Sequence, residues 1–184
     1  MPDQRMIPSP TLPRAEIDAR LRALGHAPAG LQPRTHGSYR QQTWRHPDGS
    51  SVLLCEVHPL GERLAVISGD TPDALARALE VIPRATILHE AVAAPGPREA
   101  LPWLRRLCLL EYDAVSPELR EQLTRALTSD DLFVRSAAAA AALNLGPGQA
   151  GWALELVARA ETEPTLREYY TRVLEAERSG SSAS

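Results

Sequence analysis

A chain of 184 residues, 43% hydrophobic and 23% charged, is long enough for one domain or two small ones and for a sizeable core. Its formal net charge of −3 argues against generic attraction to nucleic acid or to an anionic membrane surface. All 20 basic residues are arginine, the mark of GC-rich bacterial coding, and the absence of lysine excludes a Schiff-base lysine, a phosphate-loop lysine and a lysine general base.

In chain order, residues 1–12 carry three prolines and read as a flexible arm. Pro13 starts a helix with Ile17, Leu21 and Leu24 on one face and Gly25 as its stop. Ala27 to Ser38, rich in Pro and Gly, reads as a loop. Three strands follow: Tyr39 to Arg45, Ser51 to His58 and Leu64 to Ser68. His46-Pro47-Asp48-Gly49 and Pro59-Leu60-Gly61-Glu62 supply the turns between them. Asp70 or Thr71 then caps a helix that begins at Pro72. The order over 13–82 is α-β-β-β-α around a small antiparallel sheet.

Residues 83–178 read as helical throughout. Thr86 to Ala93 is short and Glu99 to Tyr112 is strongly apolar. Pro117 to Thr128 follows a Ser116 cap, and Asp131 to Leu145 follows a Ser129 or Asp130 cap and stops at Gly146-Pro147. Gln149 to Glu161 and Pro164 to Arg178 complete the set, and 179–184 reads as a disordered tail. Six alanines, Ala137 to Ala142, favour a helix that neighbours approach closely, and Phe133, Val134, Leu143 and Leu145 around them argue for burial.

Three phrases recur in this half: Pro102-Trp103-Leu104-Arg105, Leu132-Phe133-Val134-Arg135 and Pro164-Thr165-Leu166-Arg167, each expected to open a helix. Their arginines are spaced by 30 and 32 residues, a period that marks stacked helical hairpins. Asp131 and Glu163 stand four residues before Arg135 and Arg167, where an acid pairs with an arginine one turn on. Leu101 breaks the pattern before Arg105. The stretch Thr128 to Ala138, an acidic turn followed by Val134-Arg135 and an alanine-rich helix, resembles HEAT and HEAT-like repeats. The resemblance covers about half the chain and implies a HEAT-like α-hairpin array, a fold that hosts scaffolds, repair glycosylases, bilin lyases and antitoxin-like immunity proteins. The 13–82 order is similar in topology to double-stranded RNA-binding domains, but the second helix begins Asp70-Thr71-Pro72-Asp73, acidic where those domains grip phosphate.

Chemistry-bearing residues are few. His46, Asp48 and His58 could meet across the hairpin around a metal, yet turn chemistry accounts for Pro47-Asp48-Gly49, and three or four well-spaced ligands are the norm. His89 and Glu90 are neighbours and so face apart on a helix. Cys55 and Cys108 sit in apolar runs and read as buried thiols rather than a disulfide, and Cys108 has no nearby histidine. Trp44 fits either an exposed sheet position or packing against the first helix. No phosphate loop, nucleophile elbow or zincin motif is present, and no metal or cofactor is implied. A secretory leader and an apolar run of transmembrane length are both lacking, so the cytoplasm is expected.

Arg105, Arg106, Arg135, Arg167, Tyr169, Tyr170 and Arg172 gather on the expected inner helices, and Arg and Tyr are typical of binding hot spots. Arg135 and Arg167 are expected to tie the stack together, and one tyrosine of the adjacent pair is expected in the core. The expected partner-binding residues are therefore Arg106, Tyr169, Tyr170 and Arg172. Residues 51–184 hold 19 acidic residues and 13 arginines, against 4 and 7 in residues 1–50. The expectation is a non-catalytic adaptor or inhibitor that binds another protein, a basic one by this charge balance, with toxin immunity as one version. A nucleic-acid or repair protein on the same scaffold, and a lyase-like enzyme using the hairpin histidines, are the alternatives.

Overall fold

A computed structural model describes residues 3–32, 39–57, 62–69, 72–146 and 148–181. The elements run β1 (Gln4–Met6), α1 (Arg14–Ala23), β2 (Ala27–Gln32), β3 (Tyr39–Arg45), β4 (Ser51–Val57), β5 (Glu62–Ser68), α2 (Pro72–Ala78), α3 (Arg84–Ala93), α4 (Pro97–Leu110), α5 (Pro117–Leu127), α6 (Leu132–Ala142), α7 (Gly151–Ala160) and α8 (Pro164–Ser181). The fold is α+β and divides into two compact units, Met1–Pro83 and Arg84–Ser184. Among the described residues no helix is long and apolar enough to cross a membrane.

The first unit is built on one antiparallel sheet in the order β1-β5-β4-β3-β2. Gly49, at φ +93°, closes the β3–β4 turn in the left-handed region that the turn demands. The register sets Trp44 opposite Val52, Val52 opposite Ile67, and Leu54 opposite Ala65. A two-residue period puts all five on one face. Ile17 and Leu21 of α1 and Leu75 of α2, with Leu79 just beyond it, pack with them into one fully buried core. Trp44 is thus a core residue, with the Arg22 guanidinium 5.4 Å above its ring.

Two expectations for this unit fail. The arm at 1–12 is tied down: β1 pairs with β5, Ser9 N–H donates to the Leu79 carbonyl, and Ile7 and Leu12 are buried. Three prolines masked a short edge strand whose apolar residues the core needs. The loop from Ala27 contains β2, an edge strand with a bulge between Pro28 and Gly30. An edge position spares proline its missing N–H, and the bulge absorbs the irregularity, so the same residues that signal a loop also fit a strand. The sheet therefore has five strands in place of three, and the likeness to a double-stranded RNA-binding topology is lost. Residues 33–38, the turn at 59–61 and the cap at Asp70 or Thr71 lie outside the described residues.

In the second unit the helices pack as successive pairs, α3 on α4, α5 on α6 and α7 on α8, with α4 also against α6 and α5 against α7. Ser116 caps α5 by accepting from Leu119 N–H at 3.2 Å. Asp131, one residue later than expected, caps α6 by accepting from Phe133 N–H at 2.9 Å. Ala138, Ala139, Ala141 and Ala142 are buried, whereas Ala140 is exposed. The recurring phrase opens α6 and α8, but Pro102 to Arg105 falls inside α4, which begins at Pro97. Ser179 to Ser181, expected in the tail, continue α8; residues 182–184, like Pro147, lie outside the described residues.

Candidate functional site

The two repeat arginines that open α6 and α8 meet at one buried acid. Glu161, the C-cap of α7, is 1% exposed and accepts from Arg135 Nη2 at 3.1 Å. The same arginine donates to the carbonyls of Ser129 and Asp130 at 2.8 and 3.0 Å. Arg167 donates from Nε and Nη2 to the Glu161 carbonyl at 3.0 and 2.6 Å. Both hold structure together, but not through the acids expected: Arg135 takes the Glu161 carboxylate and Arg167 the Glu161 main-chain carbonyl. Asp131 and Glu163 are spent on the N-termini of α6 and α8, and Asp131 also pairs with Arg98 at 3.0 Å. Burial pushes the Glu161 carboxyl up, but the N–H of Glu163, the Arg135 guanidinium and the N–H of Thr162 outweigh it, and it is held below its ordinary value.

Between α6 and α8 the unit leaves a groove of about 240 Å³. Ser136, Ala139, Ala140 and Leu143 line one side. Leu166, Tyr169, Tyr170 and Val173 line the other, and Leu154 of α7 also contributes. The spacing explains the two walls. Phe133, Ser136, Ala140 and Leu143 recur at i, i+3, i+7 and i+10, and Leu166, Tyr169, Tyr170 and Val173 at i, i+3, i+4 and i+7, so each set lies along one helix face. Tyr170 is 4% exposed and its hydroxyl meets Ser136 Oγ at 3.1 Å. Tyr169, 50% exposed, stands edge-on to it with ring centroids 5.5 Å apart. Leu143 is also exposed, so the groove carries two of the large exposed apolar side chains among the described residues.

No family model, curated protein or solved structure matches the chain. Its site has to be read from its own geometry.

Of the expected partner-binding residues, Tyr169 and Tyr170 are brought together on the groove. Arg172 is exposed on α8 and pairs with Glu168 at 3.6 Å. Arg106 does not line the groove; it lies over the Trp103 ring at 4.7 Å on α4. Leu143, Leu166 and Val173 were missed; Phe133 and Leu143, expected to be buried, are exposed, and the Phe133 ring lies under Arg98 and does not line the groove. The stripe from Phe133 to Leu143 was legible as a helical period, but an apolar stripe reads first as core.

Of the histidine candidates, only His46 and Asp48 can be placed together. His46 Nδ1 lies 2.8 Å from Asp48 Oδ1. His58 lies outside the described residues. Among the described residues no group of three or more His, Cys, Asp or Glu side chains is placed to hold a metal. Hydrogen bonds from Ser50, then from His46, hold the Asp48 carboxyl down to about 2. His89 is exposed on α3. Cys55 and Cys108 are buried free thiols, and burial pushes both upward, which keeps them protonated and poorly nucleophilic.

Of the groove's three hydroxyls, those of Tyr170 and Ser136 are engaged with each other, its walls are otherwise aliphatic and aromatic, and no carboxylate, imidazole, thiol or guanidinium lines it among the described residues.

Proposed function

We propose that the chain is a non-catalytic protein-binding module, an adaptor or inhibitor of a bacterial kind, whose helical unit is a HEAT-like array that docks its partner on the α6–α8 face. The observation that carries this reading is the apolar groove flanked by exposed Tyr169 and Leu143. Apolar faces of this kind on soluble proteins mark interaction sites, and tyrosine is a preferred anchor residue there. The successive helix pairs and the phrase shared by the starts of α6 and α8 support the array. The acidic surplus of residues 51–184 suits a basic partner, as an immunity protein suits a nuclease-type toxin. Tyr169 is the anchor and Tyr170, Leu143 and Val173 the walls, while Arg172 borders the face and Arg106 stands apart on α4. The nucleic-acid alternative loses weight because Arg135 and Arg167 are committed to Glu161.

Crosslinking in native lysate tests this. The wild type is expected to capture a stoichiometric protein that a Tyr169→Ala, Leu143→Ser double variant does not capture, with the variant's melting temperature unchanged. A wild type that runs alone, or a partner held equally by both proteins, overturns the reading. Retention of DNA or RNA that weakens steeply with salt would favour the nucleic-acid alternative instead.

A further inference from the structure

The corner where α1 hands the chain to β2 contains a polar group that the fold leaves unanswered. Gly25, at φ +85°, donates to the Arg22 carbonyl at 2.9 Å, and His26 N–H donates to the Leu21 carbonyl at 3.0 Å. These are the two bonds of a Schellman motif, in which the residue at the place of His26 ordinarily packs an apolar side chain on the last helical turn. Here that residue is an imidazole, 4% exposed, and neither ring nitrogen makes a well-formed hydrogen bond. The His46 ring lies 5.2 Å away, tilted by 44°. His46 in turn presses on Gly25, where an added Cβ would lie 2.8 Å from its Nε2. Both rings line one small cavity with Asp48, Leu24, Ala74 and Leu75.

We propose that His26 and His46 form an acid-sensitive latch: protonation of His26 releases the α1–β2 corner and with it the edge strand β2, while β1, β5, β4 and β3 keep their sheet and core. The charged neighbourhood sets the direction. The β3–β4 turn brings His46 and Asp48 to the ring. From α2 come uncharged Ala74 and Leu75, while Asp73 and Arg77 are exposed. From α1 come the Leu24 carbonyl and, over Trp44, Arg22. Burial opposes a charge on His26 most, His46 opposes it next, and Asp48 and the Leu24 carbonyl favour it less, so His26 titrates below its ordinary value. The opened corner carries no such penalty and takes up the proton that the closed corner refuses. Opening is confined to β2 because this strand is bonded to β3 alone, through a bulge, and Ala27 to Leu31 are exposed.

The test is amide exchange of the whole chain at about pH 7.5 and about pH 5, on either side of the ordinary histidine range, corrected for intrinsic rates. Protection of β2 and its β3 partners is expected to fall roughly tenfold or more, the linkage limit being tenfold per pH unit. Amides between β4 and β5 should not follow. His26→Leu should abolish the loss, and His46→Gln should reduce it. An equal loss across the sheet, no loss in the wild type, or the same loss in His26→Leu overturns the latch. Should His26→Leu not fold, the ring titration of His26 in the wild type decides. Its protonation is expected to track the opening of β2, and titration with β2 still protected overturns the latch.

Discussion

Glu161 holds a negative charge where almost no water reaches, and one guanidinium and two backbone N–H groups on its Oε1 offset part of that cost, while Oε2 is buried without a partner. Removing one partner of such a pair leaves the other charge buried. Arg135→Ala is therefore expected to cost about 3 kcal/mol in chemical denaturation, while Arg172→Ala, whose pair is solvated, should cost no more than about 0.5 kcal/mol. A loss of similar size for both would show that the Glu161 node does not bear on stability. Gly25 is constrained in a different way. Alanine there must hold a positive φ and meet His46, so Gly25→Ala is expected to lower stability by about 2 kcal/mol in the same measurement. The structural role of Arg135 and Arg167 was inferred from the acids four residues upstream of each, yet Asp131 and Glu163 cap α6 and α8 instead of pairing with these arginines. Their meeting point was not legible, since Arg135 reaches the Glu161 carboxylate and Arg167 its main-chain carbonyl, both at the turn after α7, which no helical spacing encodes.

Helices with strong caps and long apolar periods were legible as elements, α5 above all. Ser116 both caps α5 and donates its hydroxyl to Glu111 at 3.0 Å, so Ser116→Ala should cost about 1–2 kcal/mol by thermal melting. A variant as stable as the wild type would mean that water replaces the cap. β1 and β2 were not legible, because Pro28 and Gly30 are loop residues everywhere except on an edge or at a bulge. The groove was half legible. The tyrosine pair stood out by residue type, and its splitting into Tyr169 outside and Tyr170 inside follows from their angular offset on a helix. The facing wall did not stand out, since a run of alanines looks like core until one of them, Ala140, proves exposed. Ala140→Leu adds bulk to that wall without disturbing a buried contact. It should weaken capture of the partner in crosslinking and leave the melting temperature unchanged. Undiminished capture would place the docking surface elsewhere.

At the scale of the whole molecule the two units answer to acid through different residues, and the signs can be worked out for each. His26 is held below its ordinary value near 6.5, so the closed form of the first unit loses stability as the pH falls through and below that value. Glu161 is held below its ordinary value near 4.5, so what it contributes to the second unit is complete above that value and declines as the pH falls below it. Acid should therefore act in two windows: β2 opens first, and the helical unit weakens about two pH units further down, the gap between the two ordinary values. Amide exchange followed along an acid series would resolve the order, with β2 and the α7–α8 turn as the two reporters. His26→Leu should remove the first change and leave the second, whereas Glu161→Gln should lower stability at neutral pH and flatten the second while leaving the first. A single concerted loss of protection, unmoved by either substitution, would mean that neither buried group governs how the molecule responds to acid.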